Sequence, residues 1–308
     1  MSSSSRPFRF GAVCEHATTR QEWAETARRI EGAGFSTLLV PDHFDERFGP
    51  FTALMAAADA TTTLRLGTLV LGNDYRHPVV LAKEAATLDV LSGGRFELGI
   101  GAGWEQRDYD WSGIAFDEPA ARVERLEESV AVLKGLFDDG SFSYGGRHYV
   151  VSGLEGTPKP AQRPHPPLLI GAGGRRMLAL AAHEADIVNV NFRLDAGVFG
   201  HDVAATGTAE ATRSKVAWLR ECAGERFAEL ELGITVFAAV ITNDRDSVAK
   251  VMGSALGLTT EGVLDSPHVL VGSVDQVVEE LSERREAFGF SYIAFALDTY
   301  EAMLPVAA

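Results

Sequence analysis

Asp42 and His43 are adjacent residues that could move a proton together. They follow the apolar run Thr37–Val40 and a proline, at the end of a predicted strand. A carboxylate can orient an imidazole, and an imidazole exchanges a proton near neutral pH. The position after a strand favours a catalytic pair, although Asp42 could instead cap a turn and His43 could be a hydrogen-bonded rim residue.

A glycine-rich break follows a later apolar run. The stretch GAGGRR, from Gly171 to Arg176, continues with helical spacing. Backbone N–H groups at the start of a helix bind anions, and glycines let them come close. Gly171, Gly173 and Gly174 would form such a cradle, and Arg175 or Arg176 would add positive charge. The stretch predicts a phosphate site, with a plain strand-to-helix turn as the alternative.

A similar break, GIGAGW, ends at Trp104. Gly99, Gly101 and Gly103 in it could admit a flat ligand, or these small residues could serve only packing. A dinucleotide fingerprint requires G-x-G-x-x-G, but Trp104 here and Arg176 in the later stretch occupy the third glycine position. No Lys-Ser or Lys-Thr pair follows either stretch, so a Walker motif is excluded.

The composition limits the function classes. The chain has 308 residues, a net charge of -15 and a pI near 5.0, which disfavours a nucleic-acid surface. Its eight histidines are scattered, so no catalytic metal is expected. No apolar stretch reaches the roughly 18 residues of a membrane span, and Met1–Pro7 is a Ser-rich tail that we expect to be disordered. A cytoplasmic protein that binds a small molecule is expected.

Predicted strands and helices alternate along the chain. Eight short apolar runs, most without alternating polar residues, are typical of strands covered on both faces. They are Phe8–Val13, Thr37–Val40, Arg65–Leu71, Phe96–Ile100, Leu168–Ile170, Ile187–Val190, Leu232–Ile241 and Tyr292–Leu297. A helical pattern follows each strand, so we predict an α/β fold, a (β/α)8 TIM barrel forming a single domain over residues 1–308, with loop insertions at its C-terminal face. The loops after the strands form the active face of such a barrel. Asp138–Pro167 precedes the fifth strand and is predicted to brace the opposite end.

Three stretches carry a resemblance to a known family. LLVPDHF ends the second strand, LRLGTLVLGNDYRHPVVLAKEAATLDVLSGGRFELGIGAGW spans strands three and four, and IGAGGRRMLALAAHEADIVN spans the fifth strand and its helix. In this order they resemble the bacterial luciferase-like oxidoreductase superfamily, especially its deazaflavin (coenzyme F420) branch. The resemblance runs from Phe8 to about Leu297. It implies a barrel that holds a flavin or deazaflavin at its C-terminal face.

The resemblance also implies roles for individual residues. A non-proline cis peptide bond, here Leu69-Val70, would support the ring, Asn73 would contact the ring edge, and the turn after strand five would take the phosphate. The implied cofactor-binding residues are Leu69, Val70, Asn73, Gly101, Ala102, Gly103, Gly171, Gly173, Gly174, Arg175 and Arg176. Asp42 and His43 match an acid–histidine pair that some deazaflavin enzymes use near the reactive carbon.

One departure from the family pattern concerns the loop after strand four. The deazaflavin sugar-phosphate dehydrogenases carry a glutamate proton donor there, whereas this chain has Trp104 with Glu105 beside it. Their substrate is therefore not carried over. We expect Trp104 to form a wall of the substrate pocket, with Glu105 as a candidate proton donor.

The resemblance predicts a coenzyme F420-dependent oxidoreductase. A hydride would pass between C5 of the deazaflavin and an organic substrate, with His43 exchanging the proton and Asp42 fixing the tautomer of His43. The alternative is an FMN-dependent monooxygenase that uses O2 and a separate flavin reductase, because that branch shares the barrel and the phosphate turn. A cofactor-binding protein without turnover is disfavoured, since both Asp42 and His43 are present. The family also implies a homodimer.

Overall fold

The structure is a computed structural model that describes residues 6–194, 197–297 and 299–307. Its strands are β1 Arg9–Val13, β2 Thr37–Val40, β3 Arg65–Thr68, β4 Leu71–Gly72, β5 Phe96–Gly101, β6 Ser141–Gly145, β7 Val150–Glu155, β8 Leu168–Ala172, β9 Ile187–Val190, β10 Glu231–Val236, β11 Ala238–Ile241, β12 Val269–Gly272 and β13 Phe290–Phe295. Its helices are α1 Arg20–Gly32, α2 Pro50–Ala60, α3 Pro78–Leu91, α4 Gln106–Ser112, α5 Pro119–Phe137, α6 Arg175–Glu184, α7 His201–Ala205, α8 Ala209–Ala223, α9 Arg245–Leu256, α10 Thr260–Leu264, α11 Val274–Phe288 and α12 Leu304–Ala307. Short 3-10 turns span Asn73–Tyr75, Gly224–Ala228 and Thr299–Met303.

The parallel strands close into a barrel, which confirms the predicted fold. Neighbouring strands pair in the order β3-β2-β1-β13-β10-β9-β8-β5-β4, and β3 also pairs with β5, so the two ends of the sheet meet. All residues of β2, β5, β9 and β13 are buried, because helices cover the outside of the barrel and side chains fill the inside. The carboxyl ends of these strands lie on one face, where the following loops meet.

The third barrel strand differs from the predicted run Arg65–Leu71 because it is interrupted. β3 ends at Thr68, β4 begins at Leu71, and the Leu69-Val70 bond between them is cis, as the resemblance implied. The Thr68 hydroxyl donates to the Gly99 carbonyl at 2.7 Å and accepts from the Gly99 N–H at 2.9 Å. A side chain therefore replaces the backbone pairing at this point, so the barrel stays closed across the interruption.

The N-terminal end of the barrel is closed by buried charges. Glu97, in β5, binds Arg9 and Arg65 and accepts from the Tyr292 hydroxyl at 3.1 Å. Arg9 also pairs with Glu231 at 2.7 Å. These charged groups are paired with one another. The residues of the candidate site lie at the opposite, C-terminal end of the barrel.

The segment Asp138–Pro167 reaches both ends of the barrel, which corrects its predicted position. Gln162 donates to the Phe96 carbonyl at 2.7 Å, at the start of β5, as expected for a brace at the N-terminal end. The turn of the β6–β7 hairpin, however, extends to the C-terminal end, where Tyr149 contacts Asn73. Sequence order alone could not show this, because the direction of a hairpin depends on what it packs against.

Two smaller differences concern the seventh strand and the N-terminal tail. The predicted run Leu232–Ile241 divides into β10, which belongs to the barrel, and β11, which pairs with β12 outside it. Of the tail predicted to be disordered, Met1–Ser5 lie outside the described residues, whereas Arg6 donates to the Glu229 carbonyl at 2.7 Å. None of the helices in the described part of the chain is both long and apolar enough to cross a membrane.

Candidate active site

His43 and Asp108 form an acid–histidine pair at the C-terminal end of the barrel. His43 Nδ1 lies 2.6 Å from Asp108 Oδ2, and the Asp108 side chain is fully buried. The other Asp108 oxygen accepts from the Phe44 N–H at 3.3 Å, and the Tyr75 hydroxyl lies 3.4 Å from Oδ2. Because a carboxylate only accepts, Nδ1 carries the hydrogen and Nε2 is left to exchange a proton.

Asp42 has a different partner from the one predicted. Its two carboxylate oxygens bind the Arg76 guanidinium at 2.5 and 3.0 Å, and Oδ2 also accepts from the Gly72 N–H at 3.0 Å. The expectation that Asp42 fixes the tautomer of His43 is therefore wrong, since Asp108 contacts the ring. Asp42 instead ties the end of β4 to Arg76.

Asp108 is a residue of the candidate site that sequence reasoning missed. It lies in α4, a short helix that follows the glycine break GIGAGW. Gly103 has φ +78, and a Cβ there would lie 1.9 Å from the Tyr109 hydroxyl, so glycine lets the loop turn back and carry α4 to the barrel end. The sequence did contain a signal for Asp108, because an aspartate lies in the short helix that directly follows the glycine break GIGAGW.

Tyr75 and Tyr109 pack against each other next to Asp108. The Tyr109 hydroxyl donates to Asp74 Oδ2 at 3.0 Å, Asp74 pairs with Arg125 at 2.6 Å, and the two tyrosine rings meet edge to face at 5.4 Å. Burial raises the pKa of both Tyr75 and Tyr109 above the ordinary value. Both hydroxyls therefore stay protonated and act as donors, Tyr75 to Asp108 and Tyr109 to Asp74.

The structure brings Trp104 to the histidine. The Trp104 and His43 rings meet edge to face, with centroids 6.2 Å apart and an interplanar angle of 87°. Glu105 is the N-cap residue of α4, and its backbone carbonyl accepts from the Asp108 N–H at 3.1 Å. Trp104 is thus placed to line a pocket beside His43, while Glu105 helps to start the helix that carries Asp108.

Val70 packs against the glycines of two neighbouring strands. A Cβ at Gly101 would lie 2.8 Å from a Val70 methyl group, and one at Gly171 would lie 3.6 Å from the other methyl group. Leu69 and Val70 are half-buried, as are Ala102 and Gly103 at the end of β5. Gly101 therefore makes room for the side chain of Val70 at the C-terminal end of the barrel, whereas a Cβ at Gly171 would be in ordinary van der Waals contact with it.

Asn73 presents an unsatisfied acceptor at the same end. Its side chain is buried, and its Nδ2 donates to the Tyr149 hydroxyl at 3.4 Å. Its Oδ1 is buried and has no hydrogen-bond partner among the residues that the structure describes. Buried polar atoms are normally paired, so this oxygen indicates where a donor from a bound molecule belongs.

The turn before α6 has the shape of an anion cradle, but its arginines have other partners. No side chain caps the helix at Gly174, where an added Cβ would meet open space, whereas at Gly173 it would lie 1.9 Å from the Phe192 carbonyl oxygen. Arg175 stacks on Trp218 in α8 at 4.2 Å, and Arg176 pairs with Glu127 in α5 at 2.8 Å. The backbone N–H groups of the turn are thus the groups best placed for a phosphate.

These features fit a flavin-type cofactor better than a metal ion. An uncapped helix start suits a phosphate, and the unpaired Asn73 oxygen suits a ring N–H. Within the described residues, no group of three or more His, Cys, Asp and Glu side chains is close enough to hold a metal ion.

Comparison with known families agrees with this geometry. The family model described as luciferase-like monooxygenase matches residues 4–260. The chain belongs to this family. Luciferase-like members are oxidoreductases and monooxygenases, and the proteins similar to this chain include one named as FMNH2-dependent and a solved structure named as coenzyme F420-dependent.

Two curated relatives of this luciferase-like chain have enzyme names. An FMNH2-dependent dimethylsulfone monooxygenase of Pseudomonas putida is 26% identical over 78% of this chain and 64% of its own length. A 5,10-methylenetetrahydromethanopterin reductase of Archaeoglobus fulgidus is 30% identical over 61% of this chain and 54% of its own length. The first curated relatives are matched over only 46 to 64% of their own lengths.

Solved structures share the whole barrel. The coenzyme F420-dependent tetrahydromethanopterin reductase of Methanopyrus kandleri superposes with a TM-score of 0.77 at 20% identity, covering 98% of both chains. A long-chain alkane monooxygenase also gives a TM-score of 0.77, at 15% identity, covering 98% of this chain and 91% of the other. At these identities the likeness shows the fold alone.

Proposed function

We propose that this protein is an oxidoreductase that transfers a hydride between coenzyme F420 and a small organic substrate. The observation that carries the proposal is the pair of His43 with the buried Asp108, at the barrel end where the phosphate turn and Asn73 also lie. An alcohol that loses a hydride must also lose its hydroxyl proton, and a carbonyl that gains a hydride must gain one. The pair supplies that proton transfer.

The chemistry of the protein itself is acid–base catalysis by His43. When bound, the deazaflavin would accept or supply the hydride at C5. His43 Nε2 takes the proton from the substrate hydroxyl in one direction and returns it in the other, while Asp108 holds Nδ1–H and stabilises the imidazolium. Trp104, edge-on to the ring, helps to exclude water from this transfer.

The cofactor would be held by residues at the C-terminal ends of neighbouring barrel strands. Gly173 and Gly174 would offer backbone N–H groups to a phosphate, Val70 would support the ring, and Asn73 Oδ1 would accept from a ring N–H. Gly101 leaves space for the side chain of Val70, which would lie against the ring.

A specific observation favours FMN as the second candidate. The tail of coenzyme F420 is acidic and needs several cations, yet Arg175 stacks on Trp218 and Arg176 pairs with Glu127. FMN carries a single phosphate, for which the start of α6 is sufficient. The matched dimethylsulfone monooxygenase, which is FMNH2-dependent by name, is consistent with this alternative.

Titration of the purified protein with each cofactor decides between the candidates. The fluorescence of coenzyme F420 and of FMN is followed as protein is added, and we expect saturable binding of coenzyme F420 in preference to FMN. Tight binding of FMN without binding of coenzyme F420 would favour the monooxygenase. Binding of neither cofactor would refute both assignments.

A further inference from the structure

The turn of the β6–β7 hairpin is held beside the cofactor residues by carboxylates of α5, chiefly that of Glu128. Glu128, in α5, accepts hydrogen bonds from the N–H groups of Arg147, His148 and Tyr149 at 2.7, 2.9 and 3.0 Å. Partial burial opposes ionisation of Glu128, but these three bonds outweigh it and lower the pKa of the carboxyl group. The turn is therefore fixed to α5 at neutral pH.

Tyr149, the last residue of this turn, meets the C-terminal end of the barrel. Its side chain is buried, its ring packs edge to face on His77 at 5.2 Å, and its hydroxyl lies 3.4 Å from Asn73 Nδ2. Asn73 follows β4 directly, so the hairpin contacts a residue at the carboxyl end of a barrel strand. Both residues of this contact are fixed in place: Tyr149 by the hydrogen bond of its N–H to Glu128, and Asn73 by its position directly after β4.

We propose that Tyr149 is a positioning residue that orients the Asn73 carboxamide for the cofactor. The carboxamide is planar, so holding Nδ2 on the tyrosine hydroxyl also fixes the direction of Oδ1. That oxygen is buried and unpartnered within the described residues. It can be satisfied only by a donor, and the ring N–H groups of a flavin or deazaflavin are donors. The proposal rests on the proposed function, because it assigns Asn73 to a cofactor ring.

One variant and one matched control test this role. Tyr149→Phe removes the hydroxyl that bonds Asn73 and keeps the ring on His77, whereas Tyr144→Phe removes a hydroxyl from β6 of the same hairpin whose ring stacks on Phe142. The dissociation constants of coenzyme F420 and FMN are measured by fluorescence, with the melting temperature of each variant. We expect Tyr149→Phe to weaken binding about fivefold, as for one hydrogen bond, and Tyr144→Phe to leave it unchanged.

A second comparison separates positioning from a general structural role. Asn73→Ala should weaken binding more than Tyr149→Phe, and the double variant should bind no more weakly than Asn73→Ala, because Tyr149 acts through Asn73. In NMR spectra, the side-chain NH2 resonances of Asn73 should shift in Tyr149→Phe and not in Tyr144→Phe. Unchanged NH2 resonances, wild-type affinity in Tyr149→Phe, or additive losses in the double variant would each overturn the proposal. If the wild-type protein binds neither cofactor, it is the proposed function that fails.

Discussion

His43 Nδ1 and Asp108 Oδ2 lie 2.6 Å apart, although the two residues are separated by 65 positions in the sequence. The pairing joins the loop after β2 to the helix after β5, and it leaves Nε2 as the nitrogen that can exchange a proton. Asp42, which adjoins His43 in the chain, binds Arg76 instead. Asp108 therefore orients the His43 ring, whereas Asp42 binds Arg76 and the backbone N–H of Gly72.

Replacement of Asp108 by Asn should change the tautomer of His43. An amide can donate to Nδ1, so the hydrogen would move to Nε2 and the ring could no longer accept a proton there. Long-range 15N–1H NMR spectra should show Nδ1 protonated in the wild-type protein and Nε2 protonated in Asp108→Asn. Once a substrate is identified, the rate of hydride transfer should be about 100-fold or more lower in Asp108→Asn than in the wild-type protein. An unchanged tautomer would remove Asp108 from its assigned role.

Asp42→Asn should reduce stability rather than act on His43. Its side chain is buried against Arg76, and loss of its charge leaves the guanidinium without its carboxylate. We expect the free energy of unfolding to fall by about 2–3 kcal/mol in chemical denaturation. Glu46→Gln, four residues away and exposed, is the matched control and should change it by less than about 0.5 kcal/mol. The His43 tautomer should be the same in both variants.

Much of the fold follows from local pattern, whereas the site depends on contacts between distant elements. Strand Thr37–Val40 has the bounds predicted from its apolar residues, and the alternation of strands with helices was enough to identify the barrel. His43, Asn73 and the turn at Gly173 were recognised because each follows a strand. The partners of these residues were not, because Asp108 and Tyr149 reach the site only through the packing of α4 and of the hairpin.

Gly173 and Gly174 should respond differently to replacement by alanine. A Cβ at Gly173 would lie 1.9 Å from the Phe192 carbonyl oxygen, so the backbone must shift, whereas a Cβ at Gly174 meets nothing within 4 Å. Gly173→Ala should lower the free energy of unfolding by about 1–3 kcal/mol. Gly174→Ala should keep wild-type stability and weaken only the binding of the cofactor phosphate. Equal melting temperatures for the two variants, measured by calorimetry, would contradict this account of the turn.

His268 should make the protein less stable as the pH falls below about 6.5. Its ring is fully buried on Phe192, with centroids 4.0 Å apart, and its Nδ1 lies 2.8 Å from the Thr235 carbonyl oxygen. Burial lowers the pKa of His268 to about 3, while in the unfolded chain it titrates near its ordinary value of about 6.5. Between these values the unfolded state binds a proton that the folded state does not.

The free energy of unfolding therefore decreases as the pH falls through this window, by up to about 1.4 kcal/mol per pH unit from this group. His268→Asn, which keeps a donor near the Thr235 carbonyl but does not titrate, should show a shallower slope between pH 6.5 and pH 4, as estimated from urea denaturation at several pH values. Above about pH 7.5 the slopes of the two proteins should coincide, because His268 is then neutral in both states. Identical slopes below about pH 6.5 would mean that His268 takes up its proton in the folded protein, with the ring no longer sealed between Phe192 and β10.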